Sequence, residues 1–288
     1  MPSISERSEA VNSNRRRLAF IVAGIGIFAA AMPQHSLAQS APDTRLMFSI
    51  FGGIASHGDL WHIPKQQYLT LLPQPLYDTL NLRRRLVTGP VIGVNATFYG
   101  SSHWGLSGEI VYVGLRKDTD CSFVYMVPDG QQRNEQVCND ITATVTSASN
   151  VGVSVGGAFR FLTRSLVTPY VRLHGGLSIR SSSLVQTVGR LALTLPDGSV
   201  ALRERIVISD DQDVRLYPLV AGAAGIMFTL SPGYQIRVEV RDQLMVLQRP
   251  TGPANDLAVV DIESFIGHSP ALVFGFDIVL EQKRGRRY

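Results

Sequence analysis

Charged and polar side chains recur at alternating positions within several apolar stretches, and they are the residues best suited to chemistry. They are Glu109, Arg160, Arg172, His174, Arg180, Arg237, Glu239, Arg241 and Asp277. On one face of neighbouring strands, such a set predicts a network of ion pairs, because an unpaired buried charge is very costly. A second interpretation is a path or gate for ions, in which Arg172, His174 and Glu239 form a proton-linked element.

Catalysis would require a nucleophile within hydrogen-bond reach of a base. His174 and Ser178 lie on the same face of a strand, but four residues at 3.3 Å each separate them by about 13 Å, too far for that contact. The remaining histidines in the body of the chain fall in loops and turns: His57, His62, His103 and His268. They match no metal or triad spacing, and no phosphate or dinucleotide motif is present. The sequence predicts no catalytic residue, metal or cofactor.

Strands must position the charged set, and a period of two identifies them. The clearest is 272–280, where large apolar side chains alternate with small ones and Asp277. Seven further segments are 45–55, 91–99, 106–115, 150–162, 169–180, 214–230 and 235–247. Eight antiparallel strands with alternately short and long connections predict an all-β, up-and-down transmembrane β-barrel with short periplasmic turns and long extracellular loops. The facing of 214–230 stays open, because its residues are uniformly small and apolar.

The direction in which the large side chains face separates two classes of protein. A membrane barrel turns Phe274 and Phe276 towards lipid and Asp277 into the lumen, whereas a soluble barrel reverses them. Aromatic residues near the short turns predict a girdle at the membrane surface: Phe98, Tyr99, Trp104, Phe161, Tyr170, Phe228 and Tyr234.

The two ends of the chain account for its net positive charge, and the body between them is close to neutral. Arginines at 15–17 precede the apolar run 18–32, and Ser36-Leu37-Ala38 follows, so residues 1–38 are predicted to be a cleaved signal peptide. A short segment at 39–44, the barrel at 45–280 and a basic tail at 281–288 complete the organisation. Because the body is nearly neutral, it lacks the clustered basic face of a nucleic-acid-binding protein. The expected location is the outer membrane, with its lipid as partner.

The long connections carry their own signals. Residues 56–86 form an apolar, proline-broken loop, which is a candidate site for an extracellular ligand or partner. Pro128-Asp129-Gly130 and Pro196-Asp197-Gly198 predict two hairpins beyond the membrane. Were both inserted, the barrel would have more than eight strands, and the choice between eight and ten strands stays open. Cys121 and Cys138 lie equally far from the centre of the first turn, so we expect them to be cross-strand neighbours joined by a disulfide in an oxidising compartment.

From residue 45 to residue 280 the chain resembles the outer-membrane barrels typified by the OmpA transmembrane domain and its OmpW-like relatives. The likeness lies in the architecture and in the segments 169–172 (PYVR) and 237–242 (RVEVRD). It implies assembly by the barrel-insertion machinery and a structural or surface-interaction role, with minor passage of small solutes. The last strand departs from the pattern by ending at Leu280 instead of an aromatic residue. Two alternatives stay open: a soluble periplasmic lipocalin-like carrier of an apolar ligand, and a lipid-modifying outer-membrane enzyme.

Overall fold

A computed structural model of the protein describes residues 45–70, 76–128, 132–163, 165–195, 197–210, 216–231, 233–255 and 258–281. Twelve strands and one helix occur in these ranges: β1 Arg45–Ala55, β2 Asp59–Leu69, β3 Tyr77–Val87, β4 Gly89–Tyr99, β5 Trp104–Tyr125, α1 Arg133–Ala143, β6 Thr146–Arg160, β7 Val167–Arg180, β8 Thr187–Thr194, β9 Val200–Ile208, β10 Leu216–Ser231, β11 Tyr234–Pro250 and β12 Ile262–Glu281. None of the helical structure in these ranges is long and apolar enough to cross a membrane. The predicted signal peptide, the segment 39–44 and the tail after Glu281 lie outside the described residues.

Eight of the strands close into a barrel. Their order around the ring is β1, β4, β5, β6, β7, β10, β11 and β12, every pair is antiparallel, and β12 pairs with β1 to complete the circle. All eight segments predicted from the sequence are strands of this ring, so the predicted count of eight is confirmed. The connections from β4 to β5, from β6 to β7 and from β10 to β11 lie at one end, called here the turn end. The longer connections lie at the other end.

Side chains of the ring face the way that a membrane requires. Phe274 is 56% exposed on the outer wall, whereas Asp277 is fully buried inside. The same holds for the other strands, whose outward rows include Ile50, Ile92 and Val153. A soluble carrier needs the opposite arrangement, with an apolar interior, so that alternative is wrong. An apolar wall around a polar interior is typical of a barrel that spans a lipid bilayer.

The aromatic girdle at the turn end differs from the prediction at two residues. Phe98, Trp104, Phe161, Phe228 and Tyr234 lie on the outer wall. Tyr99 and Tyr170 are buried in the lumen, because each occupies an inward position of its strand. Their hydroxyl groups therefore belong to the barrel interior instead of the membrane interface.

The structure shows which side chains of β10 face outward, which its uniformly small and apolar sequence left open. Its outward row carries Val220, Ile226 and Phe228, and its inward row carries small residues over residues 221–225. Small inward residues leave space for long side chains from the neighbouring strands.

Beyond the membrane, β5 continues over residues 116–125 and pairs there with β3, which pairs in turn with β2. Residues 56–86 are therefore largely a β-hairpin added to the barrel wall, and the prediction of one continuous loop is wrong. The second hairpin predicted around residues 196–198 is confirmed as β8 and β9. Together with α1, the loop 181–186 and the described residues 251–255 and 258–261, these elements form what we call the cap.

A helix replaces the first hairpin predicted beyond the membrane. The return from β5 is α1, whose buried residues are Asn134, Val137, Cys138 and Ile141. The last three follow Asn134 by three, four and seven positions, which places all four on one face of a helix. This helical pattern outweighs the turn signal at residues 128–130. The predicted disulfide is nevertheless confirmed, with 5.4 Å between the Cα atoms of Cys121 and Cys138. It joins a strand to a helix, so the predicted cross-strand register is wrong.

Candidate functional site

Side chains fill the barrel lumen in three layers. A lower apolar layer lies towards the turn end, a charged layer lies in the middle, and an upper apolar layer lies beneath the cap. All nine residues of the predicted charged set are buried in the lumen. Seven belong to the charged layer: Glu109, Arg172, His174, Arg237, Glu239, Arg241 and Asp277. Arg160 and Arg180 lie apart from these, at the two opposite ends.

Three arginines and three carboxylates balance one another in the charged layer. Arg241 Nη2 donates to Glu109 Oε1 at 2.5 Å, and Arg172 forms ion pairs with both Glu239 and Glu109. Arg241 Nη1 also lies 3.9 Å from Glu239 Oε1. A second pair, Arg237 with Asp277, lies 3.7 Å apart on the adjacent strands β11 and β12. The layer is formally neutral, and each of its charges has an opposite charge within 4 Å, although neither oxygen of Asp277 has a hydrogen-bond partner among the described residues.

The lower apolar layer consists of Met47, Tyr99, Ala158, Tyr170 and Met227. Tyr170 also serves the charged layer, because its hydroxyl donates to Glu239 Oε2 at 2.6 Å. Arg160 stacks on the ring of Tyr99 at 3.5 Å and donates to the Ser102 carbonyl at 3.1 Å. These contacts close the lumen between the charged layer and the turn end.

The upper apolar layer continues directly into the hydrophobic core of the cap. Val111, Val113, Leu115, Leu219 and Met245 are buried at the mouth of the barrel. They belong to one cluster with the apolar residues of β2, β3, α1, β8 and β9. Barrel and cap thus share a continuous hydrophobic core, and it closes the lumen on the cap side.

The geometry around His174 does not provide a catalytic triad. Its Nδ1 lies 3.4 Å from the hydroxyl of Ser154, and its Nε2 has no hydrogen-bond partner among the described residues. Ser178 instead contacts the Tyr217 carbonyl at 3.5 Å. Because no described carboxylate binds the imidazole, the third member that orients a base is missing from this part of the lumen.

A serine–histidine contact that the sequence did not indicate lies at the mouth of the barrel. His57 Nε2 and the hydroxyl of Ser269 are 3.0 Å apart. Ser269 is only 1% exposed, so its oxygen is shielded from a substrate. The other three histidines form separate contacts: His62 with Asn81, His103 with Ser102, and His268 with Asp242. His62 lies on β2 and His268 on β12, so the predicted loop placement is wrong for these two residues.

Buried cations of the cap hold the loop 181–186 over the barrel mouth. Arg84 Nη1 donates to the carbonyl oxygens of Leu184 and Gln186 at 2.9 and 2.8 Å, and Trp61 Nε1 donates to Leu184 at 3.3 Å. Lys117 Nζ donates to the Ser183 carbonyl at 2.9 Å. Burial lowers the pKa of Arg84 to about 10 and that of Lys117 to about 8. The held loop inserts Leu184 and Val185 into the core, and both are fully buried.

The far end of the cap exposes a group of apolar side chains, here called the tip. It comprises Leu69, Leu76, Tyr77, Val124, Tyr125 and Met126. Leu69 pairs with Tyr77 across β2 and β3, and Tyr125 pairs with Thr79 across β5 and β3. The N-terminal end of α1 supports the tip, since the amide of Asn134 donates to Asp78 at 2.7 Å. Exposed apolar groups of this size mark interaction surfaces more often than isolated side chains do.

Comparison with known proteins finds similar structures but no related sequence. No family model matches the chain, and no curated protein does. Neisserial surface protein A is 12% identical, with 83% of this chain and 99% of that chain covered and a TM-score of 0.37. The outer membrane protein OprG from Pseudomonas aeruginosa is 13% identical, with 85% and 100% covered and a TM-score of 0.42. The outer membrane protein AlkL, solved in lipid bilayers, is 10% identical, with 88% and 99% covered and a TM-score of 0.39. The strand pairings and the facing of the side chains establish the eight-stranded transmembrane barrel.

Proposed function

We propose that the protein is an outer-membrane β-barrel that presents the cap for interactions at the cell surface, and that its lumen serves stability more than passage. The observation that carries this proposal is the filling of the lumen in three consecutive layers. An eight-stranded barrel is only just wide enough for side chains, and here the charged layer lies between two apolar ones. Minor leakage of small solutes is the most transport that such a lumen supports.

The cap has the properties of a preorganised binding surface. The Cys121–Cys138 disulfide, the core shared with the barrel and the buried Arg84 hold it in one arrangement. A rigid surface loses less conformational entropy on binding, which favours recognition by the tip. The proposal contains no catalytic step. Outer-membrane lipid contacts the apolar wall, and the barrel-insertion machinery assembles the chain.

The transport part of the proposal is tested in proteoliposomes. Vesicles containing the full-length mature protein should take up small sugars no faster than empty vesicles, with an open porin as the positive control. Rapid, size-selective uptake would contradict the role assigned to the lumen.

The surface part is tested on intact cells that display the protein. Replacing Tyr77 and Tyr125 by Ser together should reduce retention of the cells on apolar and protein-coated surfaces. Val145→Ser is the matched control, because Val145 is also exposed but follows the opposite end of α1. Equal retention of both variants and the unmodified protein would remove the tip from the proposal.

A further inference from the structure

A small polar cavity lies at the turn end of the lumen, and the proposed surface role does not use it. Its volume is about 80 Å³, several times the ~10–15 Å³ that one water molecule requires. Two guanidinium groups, from Arg45 and Arg160, line it. So do five hydroxyl groups, those of Thr163, Ser165, Thr168, Thr229 and Ser231. No carboxylate is among its described lining residues.

Arg160 is the residue that gives the cavity its chemistry. It is only 6% exposed, and its Nε has no hydrogen-bond partner among the described residues. Within the described part of the chain its guanidinium group contacts the Tyr99 ring and the Ser102 carbonyl, and neither carries a negative charge. The arginines of the charged layer all pair with carboxylates, whereas Arg160 forms no ion pair within the described ranges. A buried cation without a counterion is costly unless an anion reaches it.

We propose that this cavity binds a small oxyanion of the phosphate or sulfate type. A guanidinium group presents parallel N–H donors that match the oxygens of such anions. Hydroxyl groups of the lining add donors, and the Thr168 hydroxyl, which donates to the Ser165 carbonyl over a long 3.5 Å, would turn to the anion. The ligand comes from the aqueous phase at the turn end, because Thr163, Ser165 and Gly233 of the connecting turns line the cavity and lipid contacts only the outer wall. The lower apolar layer separates the cavity from the charged layer. The site therefore holds its anion without passing it through the barrel.

The proposal can be tested on the full-length mature protein in a maltoside detergent, which contains no phosphate. With arginine side chains labelled by 15N, titration with inorganic phosphate or sulfate should shift the Nε–H signal of Arg160 and saturate. Arg160→Gln should weaken the phosphate affinity at least about tenfold, and Thr168→Val roughly fivefold. Arg180→Gln is the matched control, since Arg180 is equally buried and stacks on Tyr217 at the opposite end. It should leave the affinity unchanged.

A check of folding and the response of the Thr168 variant complete the test. Altered mobility on gels without boiling identifies folded barrels, and Thr168→Val keeps the test valid if Arg160→Gln does not fold. Absence of a saturable shift at millimolar phosphate and sulfate would overturn the proposal, as would equal affinity in Thr168→Val and the unmodified protein. A response to added phosphatidylglycerol without one to either inorganic ion would also overturn it, because the source would then be a lipid headgroup.

Discussion

The guanidinium group of Arg172 on β7 forms an ion pair with the carboxylate of Glu239 on β11, although β10 lies between these strands. In the register of the sheet, Ala223 lies opposite Arg172 and Gly225 lies opposite Glu239. A Cβ atom at Gly225 would lie 2.9 Å from the hydroxyl oxygen of Tyr170, and closer still to a backbone carbonyl. The small inward residues of β10 therefore allow the pair to form over the intervening strand.

The first prediction concerns this pair. Arg172→Gln or Glu239→Gln alone should each cost about 3–5 kcal/mol of unfolding free energy, because each leaves the other charge buried and unpaired. The double variant should lose clearly less than the sum of the two. Urea titrations of the barrel in lipid vesicles measure all three variants.

Arg180 offers the control for that double-mutant cycle. It donates to the Val246 carbonyl and does not contact Glu239, so Arg180→Gln and Glu239→Gln should add independently. If the losses of unfolding free energy in Arg172→Gln and Glu239→Gln were also additive, the ion pair would contribute no measurable coupling energy.

The second prediction concerns the outer wall. Phe276 lies in the middle of the outward row of β12, between Phe274 and Ile278. Phe276→Arg should destabilise the inserted barrel by about 2–4 kcal/mol, because a cation near the bilayer midplane loses its hydration. Leu202→Arg, on the exposed face of β9, should change the stability by no more than ~0.5 kcal/mol. Folding titrations in vesicles compare them, and similar losses at both residues would argue against a lipid-facing wall.

The third prediction concerns the disulfide. The purified, unreduced protein should show no reactive thiol after unfolding. Because 17 residues separate the two cysteines, replacing both by Ser should cost the cap about 3 kcal/mol on the chain-entropy model. Proteolysis should then cleave near α1 while the barrel keeps its altered mobility on unboiled gels. Two labelled thiols per unreduced chain would contradict the bond.

The sequence was enough to predict the barrel strands, because alternating apolar and polar or small residues show which face of a membrane strand points outward. The residues of β12 from Leu272 to Leu280 read the same way in the sequence and in the structure. Strand β3 was not predicted from the sequence, because Arg84 occupies a buried position among Leu80, Leu82 and Leu86 and interrupts the apolar row. Its charge is satisfied by carbonyl groups of the loop 181–186, about 100 residues away in the chain, and no local pattern reveals that contact.

The contacts within the lumen were the part that sequence could not specify. Alternation shows that Arg172, Glu239 and Glu109 point inward, but their distances depend on how far each strand is displaced along its neighbours. The contact between His57 and Ser269 was missed for the same reason, because it joins residues 212 apart in the chain. Helix α1 was different: its buried spacing was readable, and the proline–glycine turn signal obscured it.

The last prediction concerns Lys117, whose amino group is buried in the cap beneath the loop 181–186. Burial lowers its pKa from 10.5 to about 8 in the folded protein. Between these two values the unfolded chain binds more protons than the folded one, so the stability of the cap should rise as the pH increases from 8 to 10.5. Below pH 8 the amino group is protonated in both the folded and the unfolded state, so its contribution to the stability of the cap stays constant at its least favourable value. Lys117→Met should abolish the rise between pH 8 and pH 9, below the range in which Arg84 also loses its proton, whereas Lys65→Met, at an exposed residue of β2, should preserve it.

The chain has two tryptophans, which makes the cap measurable by itself. Trp104 lies on the outer wall at the turn end, and Trp61 lies in the cap core. In a Trp104→Phe background, the fluorescence of Trp61 follows unfolding of the cap in urea at each pH. The midpoint should increase from pH 8 to pH 9 with Lys117 present and stay level over that range with Met in its place. The same increase in both proteins would assign the pH dependence to another group.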